Sequence, residues 1–198
     1  MSGAVRYPVQ GSALGALVDA ADVPLLAGYR WALSGGYARA HRGDAVLWMH
    51  RLLCPSDGLV DHINGDKLDN RRANLRPATA RQNVANSRSK VRGSSRHRGV
   101  SLLRWPTKQG ERTAWRADAS PGRHQIYLGM FGSEDEAALA YNVAALLLNG
   151  AYARLNEVPP TVALSAEAQR GLVERLHKHV SAIEQAAAPA LRAAGGAR

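Results

Sequence analysis

Apolar and polar positions alternate most regularly between residues 98 and 156, and the pattern predicts a three-stranded sheet backed by one helix. The strand-like runs cover 99–104, 113–119 and 124–129. Within the later runs, apolar side chains take every second position and polar side chains take the positions between. Since successive side chains of a strand point to opposite faces, the sheet has one apolar and one polar face. We expect the polar face to be open to a ligand.

The helix that follows is marked by its own signals. Ser133 and Glu136 form a predicted capping box, with acidic residues in the first turn, and the helix is expected to run to about Asn149 and stop at Gly150. Its small side chains would let it lie close to the apolar face of the sheet; they are Ala137, Ala138, Ala140, Ala144 and Ala145.

The first ninety residues predict shorter elements. Strands are expected around 14–18, 37–40 and 46–49, and a short helix from Asp22 to about Trp31. A second group follows: a strand at 59–63 ending at the turn signal Asn64-Gly65, a polar loop, a strand at 74–78, and a helix capped by Thr79 that runs through Asn86.

The chain is therefore expected to be α+β. We divide it into an N-terminal accessory segment of small α/β character (1–44), a strand–strand–helix domain (45–90), a basic linker (91–97), the sheet-and-helix domain (98–157), and a C-terminal helix with its tail (158–198).

The C-terminal helix carries an apolar stripe of Val173, Leu176, Val180 and Ile183. Fewer than three heptads are present, so packing on its own protein is favoured, and self-association with a second chain is the alternative.

Charge is concentrated in one block. The 198 residues carry a formal net charge of +10, while residues 67–108 hold twelve lysines and arginines against one acid, Asp69. The rest of the chain is close to neutral, so we expect a polyanionic partner, most simply nucleic acid.

Cysteine and hydropathy exclude several classes of protein. Cys54 is the single cysteine, which rules out a disulfide framework and a paired-cysteine zinc site. No apolar run has the length of a membrane span, and the N-terminus lacks a basic start followed by an apolar core, so no membrane partner is expected. We expect a soluble protein in the cytoplasm of a bacterium or a phage-infected host.

Candidate chemistry centres on Asp61 and His62, with Asn83 following 21 residues after the histidine. A neutral imidazole can deprotonate water, and a carboxylate with a carboxamide oxygen can hold Mg²⁺. Asn74 is expected to pin the loop that carries His62. Because neighbouring strand residues point to opposite faces, Asp61 and His62 can serve one phosphate only where the strand ends or twists.

Phosphate contacts are assigned to Arg71, Arg72, Arg76 and Arg81, and in the basic run to Arg88, Lys90, Arg92 and Arg96.

Residues 45–90 resemble the HNH endonucleases of phage and intron homing type. The motifs that carry the resemblance are His50-Arg51-Leu52, 60–71, Asn74-Leu75-Arg76 and 79–83. The resemblance implies a ββα-metal fold in which His62 is the catalytic base, Asn74 is the middle Asn of the motif, and Asp61 and Asn83 bind one divalent cation, Mg²⁺ or another such as Mn²⁺.

Residues 97–156 resemble the plant ethylene-response-factor (Apetala-type) DNA-binding domain. Arg98-Gly99-Val100, Trp115-Arg116-Ala117, Tyr127-Leu128-Gly129 and the alanine-rich helix carry this likeness. It implies that the outer face of the sheet enters the major groove of duplex DNA. The residues assigned to that face are Arg98, Arg116, Asp118, Gln125 and Tyr127. Ser101, Leu103 and Ser120 stand where the plant domains tend to have arginine, so the plant target sequence is not carried over.

The sequence thus predicts a metal-dependent DNA endonuclease of homing type that nicks one strand of the duplex. The alternative is a DNA-binding transcriptional regulator that keeps a nuclease-like scaffold without turnover.

Overall fold

The chain divides into two units, residues 1–88 and 89–198. The structure is a computed structural model that describes residues 3–87, 93–120 and 125–179. Helices and small antiparallel sheets occur in both units, which confirms the expected α+β class.

The first half of the first unit contains short strands around one short helix. A two-stranded antiparallel sheet is formed by β1 (Ala4–Tyr7) and β2 (Ala16–Asp19). Helix α1 (Val23–Leu26) follows. A second antiparallel sheet has the order β3-β4-β5, and its strands are Ala32–Ser34, Tyr37–Arg42 and Ala45–Trp48.

The short helix ends at Leu26 instead of continuing to Trp31 as predicted. Trp31 is buried, and its indole nitrogen donates a hydrogen bond to the carbonyl of Leu26 (3.1 Å). The next residue, Ala32, already pairs with β4. Sheet pairing and burial of the indole therefore override the local helical pattern.

The second half of this unit has the predicted order of strand, loop, strand and helix. After α2 (Met49–Leu53) come β6 (Leu59–His62), β7 (Leu75–Ala78) and α3 (Ala80–Asn86). Thr79 caps α3 as expected, and its hydroxyl accepts the amide of Gln82 while the Gln82 side chain returns to the Thr79 amide.

One apolar core serves the whole unit. Val18 and Leu26 from the N-terminal segment are buried with Met49, Leu53 and Leu75 from the later elements. Within the predicted accessory segment 1–44, the described residues 3–44 therefore share their core with 45–87.

The second unit is a three-stranded antiparallel sheet with β9 in the centre. Its strands are β8 (Val100–Thr107), β9 (Gly110–Ala119) and β10 (Ile126–Phe131), in the order β10-β9-β8. Helix α4 (Glu134–Asn149) begins at the predicted Ser133–Glu136 capping box and is followed by Gly150. A last helix, α5, covers 166–179 in the described part of the chain.

The core of this unit lies between the apolar face of the sheet and the two helices. Ala137, Ala140 and Ala144 of α4 are fully buried, and Leu128 of β10 and Leu172 of α5 join the same cluster. The small side chains on α4 let the helix backbone come close to the sheet, as the sequence predicts. Leu176 of the predicted C-terminal stripe is also buried here, whereas Val180 and Ile183 lie outside the described residues.

Within 3–87, 93–120 and 125–179, none of the helices is both long and apolar enough to cross a lipid bilayer.

Candidate active site and nucleic-acid interface

Asp61 and His62 are the last two residues of β6, immediately before the turn into the polar loop. The loop starts with Asn64-Gly65, and Gly65 has a φ of +73°, a conformation that residues with a side chain rarely adopt. In the β6–β7 register, Asp61 lies opposite Arg76 and His62 lies opposite Leu75. Cross-strand partners lie on the same face of a sheet, so the side chains of Asp61 and Arg76 are neighbours.

Asp61 is only 3% exposed and is held by two residues. Arg76 donates from Nε (2.9 Å) and Nη2 (2.7 Å) to Oδ2. Asn86 of α3 donates from Nδ2 to both carboxylate oxygens (3.0 Å each) and to the backbone carbonyl of His62 (2.8 Å). The carboxylate therefore ties α3 and β7 to β6.

Asn83, the predicted second cation ligand, is half-buried on α3 one turn before Asn86. The side-chain amide of Asn86, also on α3, donates hydrogen bonds to Asp61. Residues three apart lie on the same side of a helix, so two carboxamides share the side of α3 that carries Asn86.

The donor chemistry here fits a hard divalent cation, which prefers carboxylate and amide oxygens. In the described residues no group of three or more His, Cys, Asp or Glu side chains is arranged to hold a metal. The Asp61 oxygens already accept hydrogen bonds from Arg76 and Asn86, so a cation at Asp61 would take the place of the Arg76 guanidinium.

His62 has a separate set of neighbours. Its imidazole is 5% exposed, and Nε2 lies 3.3 Å from Oδ1 of Asn70. The rings of His50 and Tyr37 have their centroids at 5.3 and 5.9 Å from that of His62. This separation from the partners of Asp61 agrees with the alternation of side chains along a strand.

Burial lowers the pKa of His62 below its ordinary value, although the hydrogen bond of the imidazole to the Asn70 side-chain oxygen and the charge of Asp61 oppose the shift. Burial is also the largest cause that lowers the pKa of His50 to about 4, and the nearby His62 adds to it. Both imidazoles are consequently neutral at physiological pH, and a neutral imidazole can accept a proton.

Two buried polar atoms beside His62 have no hydrogen-bond partner among the described residues. They are Nδ1 of His50 and Nδ2 of Asn70. Asn70 is fully buried. Burying a polar group without a hydrogen-bond partner costs free energy, so each of these two side chains lowers the stability of the folded unit.

The polar loop is fixed largely by its own side chains. Oδ1 of Asn74 accepts the backbone amide of Asn64 (3.0 Å), and Nδ2 of Asn74 donates to the Asn64 side chain (3.0 Å) and to the carbonyl of Asp69 (2.8 Å). Asn64 also donates to the Asp69 carboxylate (2.8 Å). Asn74 thus makes the loop-pinning contacts that the sequence predicts.

The N-terminal segment supports the loop from outside. Leu17 of β2 exchanges backbone hydrogen bonds with Leu68 and Asn70 (2.8 and 2.7 Å). The Lys67 ammonium donates to the carbonyl of Gly35 (3.0 Å) and lies 4.3 Å from the centre of the Tyr37 ring. The role of residues 3–44 is therefore at least to hold the loop that carries Asn70.

Three of the arginines predicted to contact phosphate are engaged inside the unit. Arg76 pairs with Asp61 and its side chain is 15% exposed, Arg71 forms a bidentate pair with Asp69, and Arg72 pairs with Asp22. The hydrogen bonds of Arg71 lower the pKa of Asp69. The side chains of Arg71 and Arg72 remain 41% and 54% exposed, so each can still face a ligand, whereas that of Arg76 is largely covered.

The remaining predicted basic contacts have different positions. Arg81 is exposed on α3. Arg96 lies beside the first turn of α4, where it pairs with Asp135 at 3.2 Å. Arg88, Lys90 and Arg92 lie outside the described residues.

In the second unit, the polar face of the sheet carries the predicted group around Tyr127. Arg116 donates twice to Asp118 (2.7 and 2.8 Å), and its guanidinium carbon lies 5.3 Å from the centre of the Tyr127 ring. Gln125 is exposed beside the start of β10. The backbone of Arg98 is fixed by the Asn156 side chain, whose Oδ1 accepts the Arg98 amide (2.7 Å) and whose Nδ2 donates to its carbonyl (3.0 Å).

Comparison with known proteins shows that residues 49–85 match a protein-family model described as HNH endonuclease. The chain is also similar to the uncharacterized HNH endonuclease L560 of Acanthamoeba polyphaga mimivirus, with 28% identity over 158 residues that cover 75% of this chain and 78% of that protein. These matches confirm the first resemblance and support a nuclease. HNH nucleases typically use divalent metal ions.

Part of the chain is similar to plant transcription factors. It is 37% identical over 84 residues to the AP2-like ethylene-responsive transcription factor ANT of Arabidopsis thaliana, covering 41% of this chain and 15% of that protein. It is 39% identical over 79 residues to APETALA2-like protein 2 of Oryza sativa subsp. indica, covering 38% and 16%. The chain therefore spans about a sixth of these plant relatives. The second resemblance is confirmed, and it points to DNA as the binding partner.

Proposed function

From an HNH endonuclease match at residues 49–85 and a second match to AP2-like proteins, we propose that this protein is a divalent-metal-dependent DNA endonuclease. The first unit hydrolyses a phosphodiester bond, and the second unit holds the duplex. Double-stranded DNA is both substrate and partner.

The observation that carries this proposal is the environment of His62. Burial lowers the pKa of this imidazole, Asn70 contacts its Nε2, and its strand ends at the turn into the polar loop. A neutral, positioned imidazole can take a proton from an attacking water, a contribution of about 10²–10⁴-fold to the rate of hydrolysis.

Asn74 acts on the same step through position. Its hydrogen bonds to Asn64 and to the carbonyl of Asp69 fix the loop between the two strands, and the carbonyl of Asn74 accepts the Ile63 amide directly after His62. The imidazole therefore starts from a defined backbone.

One divalent cation, Mg²⁺ or Mn²⁺, would be held by Asp61 with a carboxamide oxygen of Asn83. When bound, it supplies positive charge beside the leaving oxygen. Arg76 now provides the positive charge at this carboxylate, and its guanidinium would release Oδ2 of Asp61.

Duplex DNA would contact the exposed cations and the polar sheet face. In the first unit the contacts are Arg81 and the exposed parts of Arg71 and Arg72, and the basic run adds Arg88, Lys90, Arg92 and Arg96. In the second unit, Arg98, Arg116, Gln125 and Tyr127 meet the groove and its phosphates.

A single catalytic centre per chain predicts that a monomer nicks one strand, and that a double-strand break needs two chains. A homing or similar mobile-element role in a phage or virus fits the mimivirus relative. Action in the cytoplasm of the infected cell, and pairing of two chains through the C-terminal helix, remain predictions.

A second candidate function is a DNA-binding regulator without turnover. The Arg76–Asp61 pair favours it, because a carboxylate already neutralised by a guanidinium needs no cation for stability. Similarity to named transcription factors is in keeping with this alternative.

Relaxation of a supercoiled plasmid separates the two. With Mg²⁺ present we expect the parent to produce nicked circles, and His62→Ala or the parent in chelator to produce almost none. His41→Ala, which alters an exposed histidine of the same unit, is the matched control and should nick like the parent. Equal nicking by His62→Ala would remove the catalytic assignment, and binding without cutting by the parent would favour the regulator.

A further inference from the structure

In the second unit, an arginine of helix α5 contacts the edge strand of the sheet. Arg175 of α5 donates from Nη1 to the backbone carbonyl of Leu128 in the edge strand β10 (3.3 Å). Its guanidinium carbon lies 5.5 Å from the centre of the Tyr127 ring. Residues 172 and 176 on the same helix are leucines buried in the core, so α5 is anchored while Arg175 reaches the polar face.

Tyr127 therefore has a guanidinium contact from two sources. Arg116 approaches it from the neighbouring strand β9 at 5.3 Å, and Arg175 approaches from the helix at 5.5 Å. A tyrosine ring attracts cations through its electron-rich face, so the ring holds both guanidinium groups on this side of the sheet.

The two guanidinium groups differ in charge balance. Arg116 is neutralised by its bidentate pair with Asp118. For Arg175, no acidic side chain comes within ion-pair distance in the described parts of this unit, and Glu174, its neighbour in sequence, pairs with Lys178. Arg175 consequently contributes the positive charge of this group that no ion pair among the described residues neutralises, while the carboxylate of Glu174 is near enough to interact with it.

Gly171 leaves room for the Arg175 side chain, and Gly129 lies beside it. A Cβ atom on Gly171, one helical turn earlier, would lie 2.8 Å from Nη1 of Arg175, and one on Gly129 of β10 would lie 3.7 Å from the same atom. A Cβ atom on Gly171 would require the flexible end of the Arg175 side chain to shift, whereas one on Gly129 would make an ordinary van der Waals contact with it. The observed position of the guanidinium therefore depends on the missing side chain at Gly171.

We propose that Arg175 extends the DNA-binding face and contacts a phosphate of the duplex at the β10 edge. The proposal rests on the proposed function. It adds α5, which lies beyond the 97–156 stretch that resembles the plant domain, to the binding surface. An anionic phosphodiester oxygen is the ligand that matches a half-buried guanidinium that an aromatic ring holds and that forms no ion pair among the described residues.

The test measures binding of a fluorescein-labelled random-sequence 30-base-pair duplex to the full chain carrying His62→Ala, so that the DNA is not cut. In this background Arg175→Gln should weaken binding about tenfold and reduce the slope of log Kd against log salt by about one. Arg175→Lys should keep most of the slope because it keeps the charge.

Gly171→Ala supplies a sharper comparison, because it changes no charge and raises helix propensity. The added methyl requires the guanidinium to shift but keeps its charge, so binding should weaken less than in Arg175→Gln and the salt slope should stay close to that of the parent. Arg170→Gln, on the exposed side of the same helix, removes the same net charge and should change Kd less than about twofold. Thermal melts confirm that each variant is folded.

If Arg175→Gln and Arg170→Gln weaken binding equally, the effect is only net charge and the inference is wrong. If Arg175→Gln binds like its parent while Arg116→Ala binds weakly, the inference is also wrong but the DNA-binding function stands. Failure of the His62→Ala parent itself to bind the duplex would overturn both.

Discussion

The two units use charged residues in opposite ways. In the first unit, carboxylates are buried and paired with arginines, as in Asp61–Arg76 and Asp69–Arg71. In the second unit the core is apolar and rich in alanine, and the charged pair Arg116–Asp118 lies on the sheet surface. A polar network can fix catalytic groups in one geometry, whereas an apolar core leaves a whole face free for contact with DNA. The difference is in keeping with the proposal that the first unit hydrolyses DNA and the second unit binds it.

The largest stability effect is expected at Asp61. Asp61→Ala leaves the Arg76 guanidinium, 15% exposed, without its carboxylate, and should lower the free energy of unfolding by about 4 kcal/mol. Denaturant unfolding followed by Trp31 and Trp48 reports on the first unit alone, once the tryptophans of the second unit are replaced by phenylalanine.

Asp57→Ala is the matched control for that experiment, because Asp57 is exposed in the same unit. It should change the unfolding free energy by less than about 0.5 kcal/mol. Similar small losses for both variants would show that the buried pair does not organise the first unit.

The second unit should instead be most sensitive to loss of apolar volume. Leu128→Ala removes a fully buried side chain and should cost about 3 kcal/mol, measured by unfolding of the second unit. Met130→Ala on the same strand, where the side chain is 54% exposed, should cost well under half as much. Equal costs would contradict the description of this core.

The stability of the first unit should fall on acidification. The pKa of His50 is lowered from 6.5 to about 4, so between these values the unfolded chain binds a proton that the folded chain does not. Stability is therefore full above pH 6.5 and is lost as the pH falls towards 4, by about 2 kcal/mol between pH 7.5 and 5.0. Chemical denaturation at both pH values measures the loss.

His50→Gln should reduce that pH dependence, because the titrating group is removed while a polar side chain is kept. An unchanged dependence in the variant would assign the acid sensitivity to other groups.

The smallest effect is expected at the surface pair of the second unit. Asp118→Ala should change stability by less than about 1 kcal/mol, because the Arg116 side chain is 37% exposed and its charge remains solvated. A loss comparable to that of Asp61→Ala would erase the contrast between the units.

Structural features that depend on residues close together in the chain could be predicted from the sequence. The Ser133–Glu136 capping box, the Thr79 cap and the turn at Asn64-Gly65 depend on contacts within a few positions, and the structure confirms them. The alternation in β9 and β10 likewise gave the polar and apolar faces correctly, because a two-residue period is a local property.

Side-chain contacts between residues far apart in the chain were harder to predict from the sequence. The pairing of Arg76 with Asp61 depends on the β6–β7 register, and its burial removes it from the exposed cations that the charge count suggested. Asn86 lies three residues after Asn83, so helical periodicity could have named it, but only the packing of α3 on β6 brings it to Asp61. Asn70 and Tyr37 reach His62 through the loop and the second sheet, which no local pattern encodes.

In the proposed reaction, the neutral imidazole of His62 accepts a proton during DNA hydrolysis. The most direct measurement is the single-turnover rate of strand cleavage with Mg²⁺ at protein concentrations that saturate the duplex, for the parent and His62→Ala. We expect the variant to bind with the parental Kd and to cleave about 10²–10⁴-fold more slowly. Cleavage at the parental rate by folded His62→Ala would contradict it.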